Sequence, residues 1–214
     1  MEHIFRGKAC PEIKTCSLKK KIDKIKKTNN KTKSHHNNGF IERVKMNINT
    51  LFKLSYGMYV VNSKKEDAFN GQIANTVFQV TAEPPQISVC INKENLTHQF
   101  IQKSRVFTVS ILERDVPMEF IGRFGFKSGK EVEKFTGIDY KLGITGAPVV
   151  IQNCLGYLEC EVTNNMDVGT HTVFIGKVAE AEVLKNGEPM TYAYYHKIKG
   201  GRAPKTAPTY IKEQ

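Results

Sequence analysis

A short polar stretch at the start of an apolar run is the first place where this sequence suggests chemistry. Residues 70–76 read NGQIANT, and VFQVT follows directly. Small residues there would let a flat ligand approach the backbone, whose N–H and C=O groups can hydrogen-bond to the ligand's edge. Ordinary turn polarity at the start of a strand explains the same residues at least as well. Taken alone, the stretch leaves both interpretations open.

A second polar stretch, residues 92–98 (NKENLTH), lies between a predicted strand and a predicted helix. The N–H groups at a helix N-terminus have no partner inside the helix. Together with the Thr97 hydroxyl and the charge of Lys93, they would form a phosphate site. A plain capping turn is the alternative.

A third candidate is His171, which follows Gly169 and Thr170 at the start of a predicted strand. A histidine there would be able to face a redox or substrate site. A single histidine without predicted partners specifies no chemistry, and a barrel-end residue is the simpler interpretation.

Several familiar sites are absent from the 214 residues. There is no P-loop, no G-x-G-x-x-G after a strand, no G-x-S-x-G and no H-E-x-x-H. The five cysteines are odd in number and form no C-x-x-C pair, which argues against a disulfide framework or a metal site. We therefore predict reduced thiols in a cytoplasmic protein, no bound metal, and packing roles for Cys90 and Cys160.

The elements that would position these residues are mostly short strands. We predict strands over 56–61, 72–81, 86–91 and 106–112, with a turn at 67–71, and two long alternating strands joined by a turn at 168–170. Two helices are predicted at 96–103, capped by Asn95 with Phe100 and Ile101 buried, and at 116–124, capped by Asp115. Residues 125–147 are predicted to be a loop. This order predicts a mainly β fold, a closed or nearly closed antiparallel barrel.

The charge is divided unevenly along the chain. Residues 1–45 hold thirteen Lys and Arg against four Asp and Glu, which leaves nineteen against seventeen for 46–214, so +9 of the total of +11 belongs to the first segment. We predict that 1–45 is a basic, disordered segment and that 46–214 is one folded domain. A flexible tail, or a start codon at Met46, is favoured over a nucleic-acid-binding arm. No run of eighteen apolar residues predicts a membrane span.

Three longer stretches together resemble one family. NGQIANTVFQVTAEPPQISVCINKENLTHQFI (70–101), FIGRFGFKSGKEVEKF (120–135) and VGTHTVFIGKVAEAEVL (168–184) are similar to the flavin-reductase-like family with the FMN-binding split-barrel fold. The likeness is strongest to the flavin domain of high-molecular-weight rubredoxins, in which the tract KTAPTY runs on into a rubredoxin module. The resemblance covers roughly residues 51–210 and implies an antiparallel split β-barrel.

The resemblance implies a role for particular residues. The flavin ring would be lined by Gln72, Ile73, Ala74, Asn75 and Thr76. Its phosphate and ribityl chain would be surrounded by Asn92, Lys93, Asn95, Thr97 and His98. The cofactor would be covered by Phe126, Lys127, Ser128, Gly129 and Lys134. His171 would lie near the flavin and the incoming nicotinamide and act in catalysis by positioning.

The resemblance further implies an FMN-dependent oxidoreductase, with NADH or NADPH as the electron donor. A flavin, oxygen, a ferric ion or a rubredoxin-type protein would be the acceptor, and a homodimer would build FMN sites at its subunit interface. Three alternatives stay open: an FMN electron carrier that does not use NAD(P)H, a related barrel that binds pyridoxal phosphate or haem, and a nucleic-acid-binding module with a basic tail.

Overall fold

A computed structural model describes residues 47–210 of the chain. A 3₁₀ helix, Ile48–Lys53, precedes the strands. The strands are β1 Tyr59–Lys65, β2 Ala68–Ala74, β3 Val77–Ala82, β4 Pro85–Asn92, β5 Val106–Leu112, β6 Tyr140–Leu142, β7 Pro148–Val150, β8 Cys154–Asp167 and β9 His171–Val183. The helices are α1 Leu96–Ser104, α2 Met118–Gly125 and α3 Tyr192–Lys197.

Seven strands form one antiparallel sheet in the order β2-β1-β5-β8-β9-β4-β3, and β6 pairs with β7. The two edge strands, β2 and β3, are joined by only Asn75 and Thr76. A link of two residues spans less than about 11 Å, so the two edges of the sheet must meet at this point. The sheet therefore curls into an antiparallel split barrel, which confirms the predicted fold class.

Apolar residues pack in two clusters on the sheet. One surrounds Phe107, Val109 and Phe174, with Ile101 from α1. The other joins the apolar face of α2 to Phe135, Met190 and Tyr195. Strand alternation supplies the first cluster, and helical periodicity supplies the face of α2. These clusters hold α1 and α2 against the place where the sheet edges meet.

Several predicted elements are confirmed. Strand 106–112 has the predicted bounds, 86–91 lies within β4, and α1 buries Phe100 and Ile101. The turn between the two long strands is present, and Gly169 there has φ +89°, a conformation that favours glycine.

Other element predictions were wrong. The single strand at 72–81 is two strands, because the chain turns at Asn75 from one sheet edge to the other. The turn predicted at 67–71 falls instead at Glu66 and Asp67, and Glu66 takes the left-handed conformation with φ 56°. Helix α2 begins at Met118 with Pro117 as its N-cap, and not at Val116 with Asp115 as the cap, because a residue that precedes a proline disfavours the helical conformation.

The predictions for residues 1–45, including their disorder, lie outside the described residues. Within 47–210, no helix is both long and apolar enough to cross a bilayer.

Candidate functional site

A cavity of about 390 Å³ lies where the two edges of the sheet meet. Its walls come from the end of β2, the end of β4, the start of α1, the loop after α2, and residues 202–208. The volume falls within the range of about 300–1,000 Å³ typical of cofactor sites. The cavity therefore brings together the separate polar stretches of the sequence.

The β2 wall contains Gln72, Ile73, Ala74 and Asn75. The side-chain oxygen Oε1 of Gln72 is buried and has no hydrogen-bond partner among the described residues. A buried acceptor without a partner is costly, and it is satisfied when a ligand brings an N–H or O–H group. This oxygen suits the hydrogen-bonding edge of a flat heterocycle.

The second wall is the β4–α1 turn. Asn92 Oδ1 accepts the N–H of Glu94 at 2.9 Å and shapes the turn. Asn95 is the N-cap, as predicted, but its side chain makes no capping hydrogen bond and lines the cavity. The Thr97 hydroxyl accepts from Asn70 Nδ2 at 2.7 Å. The first turn of α1 therefore faces the cavity without a side-chain cap, an arrangement suited to a phosphate group.

The loop after α2 forms the third wall with Phe126, Lys127, Ser128, Gly129 and Lys134. A Cβ atom at Gly129 would collide with Asn70 Oδ1, so a larger residue there would require the Asn70 side chain to move. Lys134 is 5% exposed, and burial lowers its pKa to about 8. A buried cation in a cavity wall favours an anionic ligand.

Three of the residues predicted to bind the cofactor do not line the cavity, namely Thr76, Lys93 and His98. Thr76 faces β4 and donates to the carbonyl oxygen of Cys90 at 3.3 Å. Lys93 forms an ion pair with Asp167, with Nζ and Oδ2 2.6 Å apart. His98 Nε2 is 2.9 Å from Thr172 Oγ1, and burial, with a smaller effect from Lys93, lowers the pKa of His98.

His171 lies behind the cavity wall and contacts it through one residue. Its Nδ1 is 2.8 Å from Thr170 Oγ1, and its Nε2 is 3.2 Å from the carbonyl oxygen of Thr206, which lines the cavity. Because a carbonyl oxygen only accepts, Nε2 must carry a hydrogen, and Nδ1 of the neutral ring then accepts from the Thr170 hydroxyl.

Sequence reasoning missed the 202–209 segment as part of the site. Residues 202–208 line the cavity, and Thr209 Oγ1 accepts from Asn75 Nδ2 at 2.9 Å and lies 2.8 Å from Tyr192 OH. At the other end, Tyr195 OH donates to Arg202 O at 2.9 Å and accepts from Arg202 N at 3.2 Å. The tract KTAPTY was recognisable in the sequence, but its folding back onto β2 was not.

Two further residues of the wall were not among the predicted cofactor-binding residues. Asn70, which belongs to the polar stretch 70–76, lines the cavity two residues before Gln72. Cys90, predicted to be a packing thiol, is half-buried and lines the cavity, and burial raises its pKa. Cys160 is fully buried, in agreement with a packing role. Among the described residues, no group of His, Cys, Asp or Glu is placed to hold a metal ion.

The split barrel and its cavity define a domain that can hold a cofactor, and comparison with known proteins identifies its family. A family model described as "Flavin reductase like domain" matches residues 51–200. The chain belongs to this family and is a flavin-dependent oxidoreductase.

Two curated relatives and one solved structure illustrate the match. The chain is 55% identical over 165 residues to a high molecular weight rubredoxin from Moorella thermoacetica. This alignment covers 77% of this chain and 72% of that protein. It is 50% identical over 169 residues to a ferric-chelate reductase (NAD(P)H) from Archaeoglobus fulgidus, which is 79% of this chain and 100% of that protein. An NADH:FAD oxidoreductase from Streptomyces globisporus superposes with a TM-score of 0.61 at 28% identity, covering 72% of this chain and 88% of that chain.

Proposed function

We propose that this protein binds FMN in the cavity and passes electrons from NADH or NADPH through it to an acceptor. The observation that carries the proposal is the composition of the cavity wall, in which a buried oxygen without a partner and an uncapped helix N-terminus line one space. These are the two kinds of group that a flavin ring and a phosphate need. The relatives named ferric-chelate reductase (NAD(P)H) and NADH:FAD oxidoreductase support the donor class.

FMN is the flavin that we propose, and the charges of the cavity wall suit its phosphate. Asn92, Asn95 and Thr97 border the start of α1, and the wall carries the cations Lys127, Lys134, Arg202 and Lys205 against the single carboxylate of Glu94. A terminal phosphate seated at the helix N-terminus uses the unpaired N–H groups directly.

Bound FMN supplies the redox chemistry, and the residues of this chain position it. Ile73 and Ala74 would offer an apolar surface to the ring, and Gln72 Oε1 would accept a hydrogen bond from its polar edge. Phe126 and residues 202–208 line the same cavity and would exclude water from it. His171 holds the carbonyl oxygen of Thr206 in the cavity wall and would in this way help to position a nicotinamide that stacks on the flavin ring.

We also propose a cytoplasmic homodimer that builds its flavin sites at the subunit interface. Several large apolar side chains are strongly exposed, among them Leu142 (59%), Ile144 (70%) and Val183 (79%). The Lys141–Glu182 ion pair, 2.9 Å long, brings the strands of Leu142 and Val183 together. An interface between subunits would cover such side chains, and light scattering of the flavin-loaded protein measures the subunit number.

A rubredoxin-type protein is the acceptor that the comparisons favour, because the similar Moorella protein is named a rubredoxin. Free flavin, oxygen and ferric chelates are the other acceptors to be tested. An FMN carrier that takes electrons from a protein donor, and not from NAD(P)H, would have the same cavity.

The test is the absorbance spectrum of purified protein, followed by anaerobic mixing with NADH and with NADPH. We expect a yellow protein that takes up one FMN per chain and bleaches promptly with one of the two donors. Colourless protein that takes up no FMN in excess would contradict the proposal. A flavin-loaded protein that neither donor bleaches would support the alternative function, an FMN electron carrier that does not use NAD(P)H.

A further inference from the structure

Lys134 is the most deeply buried cation that the structure describes, and its surroundings do not neutralise it. The side chain rises from the loop after α2 and ends at the cavity wall, 5% exposed. Its Nζ donates to Gly71 O at 2.8 Å and to Phe124 O at 3.3 Å. An ammonium group has three donors, so these two carbonyl groups leave one donor without an assigned partner.

No carboxylate within residues 47–210 forms an ion pair with Lys134. The charged side chains on the neighbouring elements are otherwise engaged or exposed: Arg123 on α2 donates to Thr136 O, Glu133 accepts from Phe135 N, and Glu131 is exposed. Glu94, Lys127, Arg202 and Lys205 are the other charged residues of the cavity wall. A buried charge is normally paired, so this cation lacks its counter-charge within the described chain.

We propose that Lys134 is a fixed cationic subsite that receives a negative charge of the bound flavin cofactor. The two carbonyl groups hold the ammonium group in place without cancelling its charge, since each carries only a partial charge. This inference rests on the proposed function and assigns one residue of that site an electrostatic role. The negative charge has two possible sources on FMN, the phosphate and the reduced ring.

The competing explanation is purely structural. Phe124 O belongs to the last turn of α2, where carbonyl groups have no partner within the helix, and Gly71 lies on the edge strand β2. A lysine that only joined these two groups would stabilise the fold and take no part in ligand binding. The two explanations differ in how flavin affinity depends on pH.

The pH dependence follows from burial of the ammonium group. Because burial lowers the pKa of Lys134 to about 8, the ligand-free protein loses this proton as the pH rises above about 8. An anion placed beside the ammonium group would raise its pKa, so binding above pH 8 must take up a proton. The affinity for FMN should therefore fall by up to about tenfold per pH unit above this pKa. The phosphate of FMN does not contribute to a pH dependence above pH 8, since its second ionisation lies near pH 6.

The experiment measures the dissociation constant of FMN between pH 7 and 9 by fluorescence quenching. Lys134→Met should weaken binding about 10- to 100-fold at pH 7, the value of a charge-assisted hydrogen bond, and should abolish the pH dependence. Lys134→Arg should keep the affinity at pH 9, since arginine stays charged. Lys130→Met, in the same loop but exposed and outside the cavity wall, is the matched control and should resemble the wild type.

Two further measurements separate the sources of the negative charge. If Lys134 serves the phosphate, Lys134→Met weakens FMN binding but leaves riboflavin binding unchanged. If it serves the reduced ring, the variant weakens dithionite-reduced FMN more than oxidised FMN. A variant that melts at a lower temperature, yet binds both oxidised and dithionite-reduced FMN with the affinity and pH profile of the wild type, would overturn the proposal in favour of the structural explanation. Wild-type protein that binds no flavin would overturn the proposed function first, and this inference with it.

Discussion

At the scale of single residues, the site is distinguished by polar groups whose needs the described chain does not meet. Gln72 Oε1 is buried without a partner, and Lys134 is buried without a counter-charge. Such groups lower the stability of the ligand-free protein, and a ligand that pairs with them gains binding affinity. The substitution of either residue should therefore separate stability from binding.

Gln72→Met replaces the buried oxygen by an apolar group of similar length. The ligand-free protein should gain about 1 kcal/mol in free energy of unfolding, because an unsatisfied acceptor is removed. The affinity for FMN should fall about tenfold, because the flavin would lose the acceptor that Gln72 Oε1 provides. Urea denaturation and FMN titration check the two effects. A variant that loses stability and keeps its affinity would contradict the assigned role.

His171→Ala tests whether this histidine serves the reaction or the cofactor. Its Nε2 contacts Thr206 O and not the cavity itself, so the flavin should still bind. We expect the dissociation constant of FMN to change by less than about threefold, and the rate of flavin reduction by NAD(P)H to fall about tenfold or more. Stopped-flow absorbance under anaerobic conditions measures the rate. Equal losses in affinity and rate would assign His171 to cofactor binding instead.

At the scale of elements, the site depends on two chain segments being pressed closely onto the barrel. The loop after α2 approaches Asn70 at Gly129, and the 202–209 segment is hydrogen-bonded to the barrel and to α3. Neither contact belongs to regular secondary structure. Each one can be changed without altering a strand or a helix.

Gly129→Ala should disturb the site, whereas Gly122→Ala should strengthen the fold. A Cβ atom at Gly129 would collide with Asn70 and so strain the hydrogen bond from Asn70 to Thr97, which we expect to weaken FMN binding at least about tenfold. Gly122 lies in α2 with nothing within 4 Å of its added Cβ, so alanine should gain about 0.8 kcal/mol of stability through helix propensity. Thermal melts and FMN titrations of both variants make the comparison.

Thr209→Val should release the 202–209 segment from the cavity. Valine lacks the hydroxyl that meets Asn75 Nδ2 and Tyr192 OH, and Asn75 is buried, so its amide would lose a partner. We expect faster trypsin cleavage at Arg202 and Lys205 and faster dissociation of FMN. Thr163→Val, which removes an exposed hydroxyl bonded to Gln86 and Ile175, is the control. Unchanged cleavage in both variants would show that the segment is held by other contacts.

At the scale of the whole molecule, the charge of the chain and its flavin site are separate properties. Residues 46–214 carry +2 of the total of +11, so basicity is not a property of the barrel. A pI of about 9.4 for the whole sequence therefore says little about what the flavin domain binds.

A protein shortened to residues 46–214 should keep its melting temperature and FMN affinity within experimental error. Any binding to nucleic acid should disappear with the first segment and should weaken steeply with salt in the full chain. Filter binding at two salt concentrations, with and without residues 1–45, measures this. Salt-dependent binding that survives in the shortened protein would point to a basic surface on the barrel.

Local patterns in the sequence were sufficient for much of the fold. Alternation along 106–112 and 86–91 predicted β5 and β4, and the apolar spacing of Phe100 and Ile101 predicted α1, because these patterns report neighbours a few residues apart. They failed at Asn75, where the chain leaves one edge of the sheet for the other. No local feature distinguishes that step from a continuous strand.

The candidate site likewise has features that the sequence predicted and features that it did not. The sequence by itself determined which stretches are polar, small or basic, and their resemblance to one family predicted a flavin site at residues 72–76, 92–98 and 126–134. Only the tertiary structure decided that Lys93 and His98 have partners outside the cavity, that residues 202–208 line it, and that Lys134 is buried in its wall. Burial and partnership depend on residues far apart in the chain, and these come together only when the edges of the sheet meet.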